Sequence, residues 1–128
     1  RHHWETDLAA LRAERPELSD EEAAAENAKL IAPPWIVPPH STGGAVDVVL
    51  LADGEEVAMG SALNERCPAM ATHHEPLDRE HRRCRNFLRS AMEGAGFVNY
   101  GHEWWHYSHG DRYWAHHTGA AAARYDGR

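Results

Sequence analysis

Two stretches decide how this chain folds and works: His40-Ser41-Thr42-Gly43-Gly44-Ala45-Val46-Asp47 and Glu103-Trp104-Trp105-His106-Tyr107. Together they offer two imidazoles, one carboxylate ligand and one spare carboxylate. That inventory suits a catalytic zinc site: three protein ligands, an open position for water, and a base to take the water's proton. Neither stretch is persuasive alone. Glu-x-x-His matches often by chance, and the plain alternative makes Trp104 and Trp105 core or sheet-surface residues with Glu103 and His106 merely paired or solvated.

On a helix, Glu103 and His106 would share a face. The surrounding Trp, Trp and Tyr, with Gly101 before and Gly110 after, favour a strand instead, where the two side chains point to opposite faces. A metal site here therefore demands a bend or bulge near Glu103-Trp104. Upstream, Gly43-Gly44 permits a tight turn between His40 and Asp47. Asp47 lies in the apolar run Ala45, Val46, Val48, Val49, Leu50. A carboxylate buried in such a strand is costly unless it is paired or binds a metal; an N-cap or an ion pair at the strand edge is the competing reading.

At 128 residues the chain is expected to form one domain, residues 1–128, with a single core. A net charge of -7 and a pI near 5.8 argue against nucleic acid or an anionic membrane as partner. The Arg-rich run from Arg79 to Arg89 alternates with apolar residues at helical spacing and reads as a solvated helix face. No apolar run approaches the ~20 residues that span a bilayer, and no signal peptide is visible. The chain begins at Arg1 inside a helical pattern, so an upstream segment is expected, and the compartment (cytoplasm, periplasm or exterior) stays open. Cys67 and Cys84 make no metal-type Cys-x-x-Cys pair; free thiols and a disulfide are both open. Eleven His is a high count, but the adjacent pairs His2-His3, His73-His74 and His116-His117 point in different directions and rarely chelate one metal.

The patterning predicts a helix from Trp4 to about Arg15 and a second, opened by the capping box Ser19-Asp20-Glu21-Glu22, running to about Leu30. Four prolines make residues 32–39 extended and present His40 rigidly. Residues 45–51 and 55–59 read as strands joined by the hairpin turn Asp53-Gly54. An irregular loop follows over residues 60–76. A helix starts at Asp78, with Cys84, Phe87, Leu88, Ala91, Met92 and Ala95 on its apolar face and Gly94 and Gly96 as its stop. Residues 97–100, 103–108 and 112–115 read as short aromatic strands, and residues 120–123 as a short helical or frayed tail. The fold class is α+β: a small, mainly antiparallel sheet flanked by two to three helices.

The spacing of these motifs resembles the zinc D-alanyl-D-alanine dipeptidases of bacteria (the VanX type), within the zinc D,D-peptidases that share a fold with the hedgehog signalling domain. The family pattern runs Ser-x-His-x-x-Gly-x-Ala-x-Asp and later Glu-x-x-His, matched here by His40, Gly43, Ala45, Asp47, Glu103 and His106. Weaker similarity continues through Met59-Gly60, the Arg-rich helix and Gly96-Phe97, over about residues 28–118. The resemblance implies zinc held by His40, Asp47 and His106 with water in the fourth position. Glu103 is then the general base and later proton donor to the leaving amine. Two imidazoles and one carboxylate favour zinc over magnesium. The implied substrate is a small D-amino-acid dipeptide or a muropeptide fragment, and Asn64, Trp105 and Ser41 are the candidate substrate-binding residues.

Three departures from the family pattern stand out. Pro38 replaces a Ser two residues before the first His, and Asn64 stands where an Asp pairs with the substrate ammonium. The Arg that stabilises the developing oxyanion has no counterpart here and is expected before Arg1. Two further readings compete with the enzyme. One is a hedgehog-like binding module that keeps zinc without catalysis. The other is a structural zinc domain closed by a fourth ligand from His73, His74, His102 or Glu103.

Overall fold

The computed structural model describes residues 2–125. They fall into two compact units, the first running to Pro38 and the second starting at Pro39.

In the first unit, α1 (His2–Glu14) and α2 (Asp20–Asn27) form a helical pair. The capping box is present in full: the Ser19 hydroxyl accepts from Glu22 N, and the Glu22 carboxylate accepts from Ser19 N at 2.8 Å. The second helix ends at Asn27, three residues short of the expected Leu30, where the buried Asn27 amide donates to the Trp4 carbonyl at 3.1 Å. Residues 32–38 are not uniformly extended. Ile36 N donates to Pro33 O at 2.8 Å, closing a turn whose second position is Pro34, the place where a fixed proline φ suits a turn.

The second unit is built on a three-stranded antiparallel sheet in the order β1-β5-β4, where β1 is Ala45–Asp47, β4 Val98–Asn99 and β5 His106–Ser108. A separate two-residue hairpin pairs β2 (Leu51–Ala52) with β3 (Glu55–Glu56) around Asp53-Gly54, both at positive φ. The expected single strand over residues 45–51 is thus broken. Val48 still donates to Trp105 O at 2.9 Å, but its partner chain turns away beyond that point, and from Leu50 on, whose O accepts from Val57 N at 2.9 Å, the chain pairs with the hairpin return instead.

Helix α3 (Arg79–Gly94) is capped by Asp78, whose carboxylate accepts from Glu80 N at 2.8 Å. Its inner face differs from expectation. Leu88 is buried, but Phe87 is 67% exposed, and Arg85 is only 3% exposed. The solvated-face reading therefore fails at Arg85. Its guanidinium donates to three loop carbonyls, Met59 O at 2.7 Å, Ala69 O at 2.6 Å and Ala71 O at 2.8 Å, and lies over the Trp104 ring. One side chain thereby organises the loop between the hairpin and α3.

Residues 112–115 form no strand. They open α4 (Arg112–Thr118), because the buried Asp111 caps it, accepting from Trp114 N at 2.8 Å, and Gly119 closes it in the left-handed conformation. Residues 120–123 are not helical. The α+β class stands, with four α-helices among the described residues. Trp104, Trp105, Tyr107, Leu88, Met59 and Trp114 are buried. Cys67 and Cys84 are free thiols. No described helix is long and apolar enough to cross a membrane.

Candidate active site

The sheet register brings the two motifs together. Asp47 lies directly opposite His106. Ladder hydrogen bonds fall on alternate pairs, among them Val48 N to Trp105 O at 2.9 Å next to Asp47 and His106, and His109 N to Gly44 O at 2.7 Å three pairs along. Asp47 and His106 are therefore a narrow, non-hydrogen-bonded pair, the kind whose side chains approach most closely. Asp47 Oδ1 is 3.3 Å from His106 Nδ1.

His40 arrives on the 3₁₀ turn Pro39–Thr42. The Thr42 hydroxyl donates to Pro39 O at 2.6 Å and accepts from Gly44 N at 3.0 Å. Gly44 is sterically required, since a Cβ there would lie 2.8 Å from Asp111 Cβ and 2.9 Å from its backbone nitrogen. His40 Nδ1 sits 3.2 Å from the Ala45 carbonyl. A carbonyl only accepts, so Nδ1 is the donor in this contact, and Nε2 is the nitrogen turned to the site, 3.3 Å from the same Asp47 oxygen.

The expected bend is present. The chain turns through Trp104 and Trp105 and becomes strand only at His106, with Glu103 N bonded to Tyr100 O and His106 N to Glu103 O. The turn puts Glu103 and His106 on one side, Glu103 Oε2 lying 3.5 Å from His106 Nδ1. Glu103 is 6% exposed. Burial pushes its carboxyl up to about 7 and the Asp47 carboxylate adds to this, while His106 and the nearby Trp105 indole offset part of the rise.

His40, Asp47 and His106 offer donor atoms within 4.8 Å of one another. A tetrahedral ion with ligand bonds of about 2.0–2.1 Å spaces its donors about 3.3–3.4 Å apart, which is the separation found on both sides of Asp47. The donor set and spacing fit such an ion. Among the described residues no His, Cys, Asp or Glu joins this trio as a fourth member; His73 pairs with Arg89 at 3.1 Å and His102 packs on Tyr100.

Other expectations need revision. The Asp47 side chain is 26% exposed, not buried, because β1 is the sheet edge and its flank opens to solvent. Trp105 is 0% exposed and sits in the core, beside Glu103. Asn64 is exposed in the loop after β3 with a left-handed backbone, and Ser41 is exposed next to His40. Arg85 and Asn99 hold structural positions that the residue pattern does not announce. The Asn99 side-chain amide donates to both the Glu103 and His106 carbonyls, at 3.1 Å each. An amide within an otherwise apolar, aromatic strand was its one signal.

Three metal-capable donors beside a buried acid have the form of a hydrolytic metal centre. Residues 12–123 match the family model described as D-ala-D-ala dipeptidase, and the chain belongs to that family of metallopeptidases. It is 36% identical over 94 residues to a D-alanyl-D-alanine dipeptidase of Synechocystis sp., covering 64% of this chain and 38% of that protein. It is 41% identical over 73 residues to one from Enterococcus faecalis, covering 53% and 35%. With one from Escherichia coli it shares 33% over 69 residues, covering 53% and 36%. The matched region spans little more than a third of these relatives' length.

Proposed function

We propose that this chain carries the metal-binding and water-activating part of a zinc D-alanyl-D-alanine dipeptidase. His40, Asp47 and His106 would be the ligands and Glu103 the general base. One observation carries the reading: a single Asp47 oxygen lies 3.3 Å from an imidazole nitrogen on each side, beside a buried Glu103. The family match runs across both compact units, which supports treating residues 1–128 as one functional domain.

When bound, zinc supplies a Lewis acid for the scissile carbonyl and an acidified water, with a pKa near ~7. The chain's own residues do the rest. The Ala45 carbonyl orients the His40 ring, and the register holds His106 against Asp47. Glu103, buried beside His106 with Oε2 3.5 Å from Nδ1, is placed to take a proton from the attacking water and return it to the leaving amine. Trp105 walls off Glu103 from the core side.

The substrate proposed is D-alanyl-D-alanine or a related D-amino-acid dipeptide, including a muropeptide end. Ser41 and Asn64 are proposed to meet it at the exposed flank, Asn64 by hydrogen bonding rather than by charge. That uncharged Asn64 is also what favours the second reading, a zinc-containing binding module without catalysis. Release of D-alanine from D-alanyl-D-alanine, measured on chelator-treated protein before and after zinc is restored, separates the two. Zinc-dependent release supports the peptidase; zinc uptake with no release supports the binding module.

A further inference from the structure

We infer that Asn99, held by Thr72, is a positioning residue that sets the spacing between Glu103 and His106. The inference rests on reading His106 as a metal ligand and Glu103 as the base.

The turn joining the two residues is weakly fixed from within. Its closing hydrogen bond, His106 N to Glu103 O, is 3.3 Å, at the long end for an amide donor. The Tyr100 backbone holds both residues, its O accepting from Glu103 N and its N donating to His106 O at 2.9 Å each, and Asn99, on the neighbouring strand β4, adds a side-chain constraint. Its two amide hydrogens reach the Glu103 and the His106 carbonyl. A primary amide is suited to this, because it has two donors on one nitrogen, whereas an ionised Asp has none and Ser has one.

The amide is itself held. Asn99 Oδ1 accepts from the Thr72 hydroxyl at 2.6 Å. That bond and the two carbonyl contacts are satisfied together only with oxygen toward Thr72 and nitrogen toward the turn. Thr72 is buried, at 8% exposure, and its own N–H donates to Gly101 O at 3.0 Å, while Trp104 N donates to Met70 O at 2.9 Å. The segment from Met70 to Thr72 thus braces the Gly101–Trp104 turn from outside, and Asn99 transmits that brace to both residues.

The test is metal binding by purified variants, with Zn2+ affinity measured by competition and the visible spectrum recorded with Co2+. Thr72→Val removes the hydroxyl at nearly constant shape, Thr72→Ser restores it, and Asn99→Leu removes the amide. Thr72→Val and Asn99→Leu are expected to weaken Zn2+ about 10-fold, the low end for residues that orient a ligand, and to alter the Co2+ spectrum. Thr72→Ser is expected to match the wild type in both. If Asn99→Leu does not fold, Thr72→Val with its Ser rescue decides. Wild-type affinity and spectrum in Thr72→Val, even with a lowered melting temperature, overturn the inference and leave a purely structural brace. A wild type that takes up neither Zn2+ nor Co2+ overturns the ligand reading itself, and this inference with it.

Discussion

Asp47 and His106 face each other as a narrow antiparallel pair, Asp47 Oδ1 lying 3.3 Å from His106 Nδ1. Every other element of the site is arranged around that pair. The Gly43-Gly44 turn returns His40 to the same oxygen, and the bend at Trp104 brings Glu103 round to His106.

On the proposed reading, Glu103→Gln removes the general base and keeps the shape. Hydrolysis of D-alanyl-D-alanine is expected to fall about 10²- to 10⁴-fold, the usual worth of general-base catalysis. Bound zinc should be unchanged. Steady-state kinetics and metal analysis on the same preparations check both halves, and a variant as active as wild type removes Glu103 from the chemistry.

The Glu103 contribution to the stability of the metal-free protein should fall as pH rises. The Glu103 carboxyl is raised from 4.5 to about 7 in the folded state, so between those values this group binds more protons in the folded form than in the unfolded. Its contribution is fully present below about 4.5 and is lost as pH climbs through about 7, about 3 kcal/mol in all if the whole shift is expressed. Urea denaturation of the metal-free protein across that range should show the decline, and Glu103→Gln should flatten it. Equal slopes in the two proteins contradict the assignment.

Arg85→Leu strips one buried and two part-buried carbonyls of their donor at once. Each orphaned group costs about 1–3 kcal/mol unless water reaches it, so a loss of at least about 2 kcal/mol is expected from chemical denaturation. Arg85→Lys keeps the charge but not the planar fork, and should fall between the two. A variant within about 0.5 kcal/mol of wild type, the range of an ordinary surface change, would restore the solvated-face reading of this arginine.

Gly44→Ala drives a methyl into Asp111. Because Asp111 caps α4 and also accepts from the Ser108 hydroxyl at 2.7 Å, the clash is not relieved by a flexible tip. Overpacking of this kind costs about 1–3 kcal/mol, visible as a lowered melting temperature. The Gly43→Ala control meets no neighbour within 4 Å, only the strain of φ 74°, and should be milder.

Much of this was legible before any coordinates. The residue types in the two motifs mark the His40, Asp47 and His106 trio that the fold brings together, and the bend at Glu103-Trp104 follows from needing two side chains on one side of a strand. The capping box at Ser19 and the Asp78 start of α3 are local signals, and they formed as read. What was hidden depends on long-range pairing. Nothing local says that Asp47 registers with His106, or that β1 lies at an edge and leaves Asp47 partly in solvent. Arg85 was hidden because arginine at helical spacing is ordinarily solvated; only the three carbonyls arriving from residues 59–71 make burial favourable. Helix α4 is obscured differently: Tyr113 and Trp114 suggest a strand, whereas the local helix signals are the Asp111 cap and the Gly119 stop.

The most direct measurement is zinc stoichiometry across four substitutions, by metal analysis and competition titration at one pH. One zinc per chain is expected in the wild type and in Glu103→Gln. His40→Ala, Asp47→Ala and His106→Ala should each bind at least about 100-fold more weakly, beyond the range for residues that only orient a ligand. A wild type that binds no zinc, or zinc that survives loss of Asp47 and His106 but not of Glu103, contradicts the site as described.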